Sequence, residues 1–133
     1  MLPQASVKHG NYLYTINSGS NDVTITDMRD YSTVYAGVGR ATIQVGKNPQ
    51  HIILAMNKIY VVNAGDNTIS VIDLELKEVS KTIPLSSEPN TLLFRSPYIF
   101  SINQNSVTII NVDDFTNVRD IKVGNRVTGG VFV

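Results

Sequence analysis

Hydrophobic and polar residues alternate along this chain in short runs, and one such run is written three times. The copies are LYTINSGSNDVTITD from Leu13, IYVVNAGDNTISVID from Ile59 and IFSINQNSVTIIN from Ile99. Each sets a hydrophobic residue and an aromatic before two strand formers and an Asn. A short turn follows, then an alternating stretch that ends in Asp or Asn. Period-two alternation interrupted by Gly, Asn and Asp predicts antiparallel strands joined by tight turns. No stretch stands out as helical.

The repeat extends beyond these runs. Pro3-Gln4, Pro49-Gln50 and Pro89-Asn90 take the same place in successive copies, 46 and then 40 residues apart. The next equivalent position, Val127, comes 38 residues later and lacks the proline. Each unit predicts an inner strand after the proline (HIILA from His51, TLLFR from Thr91) and a second strand with the aromatic (Tyr14, Tyr60, Phe100). A third strand alternates (VTIT from Val23, ISVI from Ile69, VTII from Val107), and a fourth follows (ATIQVG from Ala41, KTIPLS from Lys81, DIKVG from Asp120). Four short strands in about 40 residues is the period of a β-propeller blade. The reading is one all-β domain over 1–133, with four-stranded antiparallel blades at about 3–48, 49–88 and 89–126. Residues 127–133 are expected to form an extra inner strand.

The run IYVVNAGDNTISVIDLELKEVSKTIPLSSEPNTLLF resembles a repeat of the YVTN family of propellers, named for a Tyr-Val-Thr-Asn tetrapeptide in strand two. Tyr60-Val61-Val62-Asn63 departs from the tetrapeptide at one position and Tyr14-Thr15-Ile16-Asn17 at two; Phe100-Ser101-Ile102-Asn103 departs further. Asn67 to Asp73, reading NTISVID, is the better-defined half of the motif. The resemblance covers essentially the whole chain and implies the propeller fold. On function it implies little, because the family includes surface-layer proteins, dehydrogenase subunits and binding modules.

The repeated residues suit structural roles. Asn17, Asn63 and Asn103 are expected to cap the turn after strand two and to tolerate left-handed backbone there. Gly19 and Gly65 are expected to supply positive φ in the same turns. Asp27, Asp73 and Asn111 are placed to accept backbone N–H groups in the turn after strand three. The aromatics Tyr14, Tyr60 and Phe100 are expected to pack between neighbouring blades.

Three blades make an arc with two terminal faces. If each leaves on the order of 500 Å² unburied, about 25 cal/mol/Å² gives roughly 12 kcal/mol per face as an upper bound. That rivals the whole stability of a small domain, about 5–15 kcal/mol. Two copies would make a six-bladed ring, so a homodimer is the leading expectation and a fragment of a longer propeller the alternative. The first inner strand is poor, with Ser6 and Lys8 where the second copy has Ile52 and Leu54. The C-terminal Val131, Phe132 and Val133 are therefore expected to close the dimer as the inner strand of the partner's first blade.

Composition narrows the classes of function. The 133 residues carry 11 Lys and Arg against 11 Asp and Glu, with a pI near 6.7. That balance argues against nucleic acid as the main partner. There is no cysteine, hence no disulfide framework or thiolate chemistry. No apolar run is long enough to cross a bilayer. The opening MLPQASVKHGNY also lacks a signal-peptide core, so the chain, if complete, is expected to be cytoplasmic.

Function is expected where loops cluster on a rigid scaffold. Fourth-to-first connections and second-to-third hairpins share one propeller face, which places Lys47, Asn48, Gln50, His51, Glu88, Asn90, Asn125 and Arg126 there as candidates for a ligand or partner. No His, Cys or carboxylate set has metal-ligand spacing, and no Gly-x-Ser-x-Gly context supports a nucleophile. The sequence thus points to no catalytic residue, no metal and no cofactor. Six extra residues within Met28 to Arg40 carry Tyr31 and Tyr35, a possible contact loop or a cover for the neighbouring blade edge. The leading functional reading is a non-catalytic interaction or ligand-binding propeller module that homodimerises, its partner a protein or small molecule. Two alternatives stand beside it. One is a hydrolase or lactonase-like enzyme using His51, Glu88 and Arg126; the other is a segment of a surface-layer or extracellular propeller protein.

Overall fold

The computed structural model describes residues 3–34, 42–113 and 117–122, and all regular structure among them is strand. Tyr35, Asn125, Arg126, Val131, Phe132 and Val133 lie outside the described residues. The first sheet runs β1 (Pro3–His9), β2 (Tyr12–Asn17) and β3 (Asp22–Asp27), with β4 (Ser32–Val34) and β5 (Thr42–Gln44) both paired to β3. The second is β6 (Pro49–Ala55), β7 (Lys58–Asn63), β8 (Thr68–Asp73) and β9 (Glu78–Pro84). The third is β10 (Pro89–Arg95), β11 (Tyr98–Asn103), β12 (Ser106–Asn111) and β13 (Asn117–Lys122). Within each sheet the strands lie in chain order and every pair is antiparallel. The fold is an all-β arc of three propeller blades.

Each inner strand opens with the same irregularity. Pro3, Pro49 and Pro89 stand opposite Asn17, Asn63 and Asn103, and pairing resumes one residue late at Ala5, His51 and Thr91. Proline has no N–H to give to a ladder, so the first position of a strand is where it does least harm. The prolines that mark the repeat therefore also mark where each blade begins. In the first sheet β1 holds the inner position.

The six-residue insertion interrupts the fourth strand rather than preceding it. Thr42 pairs with Thr24 and Val34 with the adjacent Ile25, so residues 35–41 fall between two half-strands of one outer edge. Within one ladder position of that point, the second and third sheets each skip one residue, Ser80 and Val118. A bulge at a sheet edge is already unpaired, and extra chain there costs little ladder.

Alternation assigns opposite sides of each sheet to different neighbours. Tyr14, Ile16, Val23, Ile25 and Ile43 of the first sheet pack with Ile52, Ile59, Val61 and Ile72 of the second. The other side of the second sheet, through Tyr60, Val62, Ile69, Val71 and Ile83, packs with Leu92, Ile99 and Ile110 of the third. The second sheet is thus apolar on both sides, as a layer between two others must be. The Lys77 ammonium also lies over the Tyr12 ring, 5.4 Å from its centre, tying the first two blades at their rim.

The repeated asparagines act differently from the turn caps expected of them. All three are buried, and none has positive φ. Asn17 Nδ2 donates to Thr24 Oγ1 (2.8 Å) and Asp22 Oδ1 (2.9 Å), Asn63 Nδ2 to Ser70 Oγ (2.9 Å) and Thr68 Oγ1 (3.1 Å). Asn103 Nδ2 donates to Thr108 Oγ1 (2.9 Å) and Ser106 Oγ (3.0 Å). Each amide therefore clasps strand two to hydroxyls on strand three, satisfying polar groups that burial would otherwise penalise. Positive φ falls instead on Asn21 and Asn67, the last residues of the hairpins. Gly65 is needed for closeness, since a Cβ there would stand 3.0 Å from the Lys47 carbonyl oxygen.

Candidate functional site

The backbones of the connections expected to carry the candidate face are held by a repeated bond. The Asn48 carbonyl accepts from Ala64 N–H (3.0 Å) and the equivalent Glu88 carbonyl from Gln104 N–H (2.8 Å). Lys47 is fixed twice, its carbonyl accepting from Gly65 N–H (2.9 Å) and its own N–H donating to Asp66 Oδ2 (3.1 Å). Asn48 N–H donates to Asn21 Oδ1 (2.9 Å), which ties the connection to the hairpin of the preceding blade. At the third blade, the Ser86 and Ser87 hydroxyls lie 3.0 and 3.2 Å from Ser106 Oγ.

On this fixed backbone the side chains of Lys47, Asn48, Gln50, Glu88 and Asn90 are exposed, and Gln50 Nε2 donates to Asn48 Oδ1 at 2.6 Å. Gln50 and Asn90 are the skipped residues of the inner-strand bulges, which is how an inner strand turns an amide out to solvent. His51 is half-buried and shares a ladder rung with Val62, on the side of the second sheet that faces the third. Each of the two crossover connections thus presents exposed polar side chains, Lys47, Asn48 and Gln50 on one and Glu88 and Asn90 on the other. Among the described residues no three His, Cys, Asp or Glu side chains converge as a metal site would require.

The opposite face holds a cleft that the pattern did not suggest. It encloses about 420 Å³ between the first two blades and is lined by His9, Met56, Asn57, Lys58, Asp73, Leu74 and Glu75. Asp73 is already engaged: its Oδ1 accepts from Glu75 N–H (2.8 Å) and Leu76 N–H (3.0 Å), and Lys58 Nζ stands 3.9 Å from Oδ2. Those two backbone donors, with Lys58 behind them, hold its pKa below the ordinary carboxylate value. Asp27 and Asn111 accept from Arg29 N–H and Asp113 N–H in the same way, as expected for the ends of strand three. The cleft is thus largely a by-product of turn chemistry. Its one sequence signal is the pair of short hairpins at Gly10-Asn11 and Met56-Asn57, which leave space between blades.

Tyr31 does not cover a neighbouring edge. It is 84% exposed and held at φ 62° by the turn whose Tyr31 N–H donates to the Asp27 carbonyl (2.7 Å). Its surroundings are charged, since Arg29 forms a two-point pair with Asp27 at 3.0 and 2.6 Å. That guanidinium and the Arg29 N–H draw the Asp27 pKa down to about 2.

Several solved structures share the fold. The chain matches hydrazine synthase of Kuenenia stuttgartiensis with a TM-score of 0.74 at 20% identity, over 88% of this chain and 34% of that one. It matches AztD of Citrobacter koseri with a TM-score of 0.68 at 15% identity, over 86% and 32%. The WD40 domain of Neurospora crassa Pan2 gives 0.67 at 18% identity, over 90% and 36%. These neighbours are propellers, and the chain spans about a third of the length of each. No family profile and no curated protein matches the sequence.

Proposed function

We propose that this chain is a non-catalytic interaction module of the propeller class, related to YVTN-type repeats, that binds a protein or small polar molecule and associates with a second copy. The binding surface in this reading is the polar face of Lys47, Asn48, Gln50, Glu88 and Asn90. One observation carries it: these exposed side chains stand on connections whose carbonyls and N–H groups are locked to the adjoining hairpins. Side chains on a fixed backbone lose little further freedom when a ligand is bound, which is the condition for specific polar recognition. Self-association is supported by the apolar surface at one end of the arc, where Leu93 and Ile121 are exposed.

The test is a screen of immobilised peptides and small polar ligands with the full chain, followed by substitution. Gln50→Ala and Glu88→Ala should each weaken the best binder by roughly tenfold, the loss of one or two polar contacts at about 1.4 kcal/mol per decade. Leu76→Ala, at an exposed turn on the opposite face, should leave it unchanged. A binder indifferent to both polar-face variants would refute the assignment.

A further inference from the structure

The gap between the first and second blades and the gap between the second and third are built at equivalent positions. His9 closes the last rung of β1 and β2, as Ala55 closes that of β6 and β7. Leu74 is the first residue after β8, as Val112 is after β12. Between the second and third blades, Ala55 and Val112 are each 4% exposed and belong to the shared core. Apolar residues fill that place, so the fold itself does not require an opening there. Between the first and second blades the same place holds the cleft of about 420 Å³, with His9 and a half-buried Leu74 in their stead.

The strand ends beside the two gaps differ in the same sense. The final rung of the third blade pairs Tyr98 with Asn111, two uncharged residues, whereas that of the second pairs Lys58 with Asp73. Lys58 and Asp73 both line the cleft, and Glu75 adds a second carboxylate. Turn chemistry explains how Asp73 Oδ1 is held, at 2.8 Å from Glu75 N–H. Asn111 Oδ1 accepts from Asp113 N–H at the same 2.8 Å without a charge, so the charge on Asp73 exceeds what its turn needs. Asp73 Oδ2 stands 3.9 Å from Lys58 Nζ, too far for a hydrogen bond and close enough for both charges to act on one small molecule. An ammonium has three donors, so Lys58 keeps capacity for a further acceptor beside its present contacts. Leu74 and Met56 supply an apolar wall next to the charges.

We propose that this cleft binds a small zwitterion, an α-amino acid with an apolar side chain. Its carboxylate meets Lys58 Nζ, its ammonium meets Asp73 Oδ2, and its side chain lies along Leu74 and Met56. Standard bond lengths put the ammonium nitrogen and a carboxylate oxygen of such a ligand about 3 Å apart. That spacing sets four charges in alternation around the gap between Lys58 and Asp73, each beside its opposite. A simple amine would bring a second cation to Lys58, and a simple carboxylate would bring a further anion to Asp73 and Glu75. Neither matches both poles, and the mismatch is what makes the site selective. The cleft shares no residue with the binding surface proposed above, so either assignment can fail alone.

The experiment is titration of the isotope-labelled full chain with L-leucine to about 10 mM, read by amide shifts and calorimetry. Binding is expected with a Kd of about 0.1–1 mM, as suits a ligand of this size. The amides of His9, Asn57, Leu74 and Glu75 should move most. Isoamylamine and isocaproate keep the side chain and lose one charge each, and should bind about tenfold more weakly. Asp73→Asn, which installs the residue the third blade carries at Asn111, and Lys58→Gln should each weaken leucine about tenfold with an unchanged far-UV spectrum. The matched ligands on wild type decide the case if either variant is destabilised. Absence of shifts, or shifts confined to other parts of the chain, would overturn the site. An amine or carboxylate that binds as tightly as leucine, or leucine binding indifferent to both variants, would overturn the recognition by Lys58 and Asp73.

Discussion

Gly46→Ala isolates the contact between a crossover connection and the buried asparagine beneath it. A Cβ on Gly46 would stand 2.7 Å from Asn63 Cγ and Nδ2 and 2.8 Å from its Cβ. Ordinary carbon contacts begin near 3.5 Å, so the amide would have to retreat by roughly 0.8 Å. It has nowhere to go without loss, because Asn63 is fully buried and its Nδ2 is held by Thr68 Oγ1 and Ser70 Oγ. Overpacking of this kind costs about 1–3 kcal/mol. The Gly46 backbone is outside the left-handed region, so alanine also removes unfolded-state freedom and returns about 0.4–1 kcal/mol. The net destabilisation is about 1–2 kcal/mol, or roughly 3–8 °C in Tm for a chain of this size. Thermal and urea unfolding followed by far-UV circular dichroism will measure it. Asn63→Ala alone should cost about 1–2 kcal/mol by removing its bonds to the buried Ser70 hydroxyl and the half-buried Thr68 hydroxyl. In the Gly46→Ala background it should cost clearly less, since it opens the space the methyl needs. A Gly46→Ala variant as stable as wild type, or strictly additive costs, would refute the contact.

The Tyr14 and Tyr60 hydroxyls are buried and have no hydrogen-bond partner among the described residues, whereas the third copy already carries Phe100. Tyr60→Phe is therefore expected to be neutral or stabilising by up to about 1 kcal/mol in urea titration at neutral pH. Burial, with Asp113 nearby, raises the Tyr60 pKa to about 12. The unfolded chain loses that proton first, so this contribution is intact below about pH 10 and is lost as pH rises toward 12. Tyr60→Phe should accordingly move alkaline unfolding to higher pH, and an unchanged alkaline limb would count against the assignment. Asp27 has the opposite sign: with its folded pKa near 2, its stabilisation is present above the unfolded value and fades as pH falls from about 4 toward 2. Asp27→Asn should flatten the acid limb of the urea midpoint in that window. Met56 occupies left-handed backbone at φ 51° while 51% exposed, so Met56→Gly should raise stability by about 1 kcal/mol, read as a higher urea midpoint.

The strands, their order and the repeat were legible because each depends on local pattern. Alternation names a strand, and the recurring Pro, aromatic and Asn place it within a blade. What pattern left ambiguous was the job of each marker. Asn17, Asn63 and Asn103 are expected at a turn on propensity alone, yet the hydroxyls that claim them, Thr24, Ser70 and Thr108, are found only once strand three folds back. Gly65 reads as a source of positive φ, but the close approach of Lys47 and Asn48 comes from a connection almost twenty residues upstream. The candidate polar face was inferred from blade connectivity. The cleft beside His9 and Asp73 was not, because it is the gap left between turns of different blades.

The ends of the arc show most clearly where pattern stops and register begins. An estimate from composition assigns both ends of the arc the same exposed area. Register separates them. Slipping a strand by one residue exchanges its sides, so only the pairings show that Thr15, Thr26 and Thr33 share one side while Tyr14, Ile16 and Ile25 share the other. The first copy spends its hydrophobic residues on the second blade and leaves hydroxyls outside; the third keeps apolar residues on both sides.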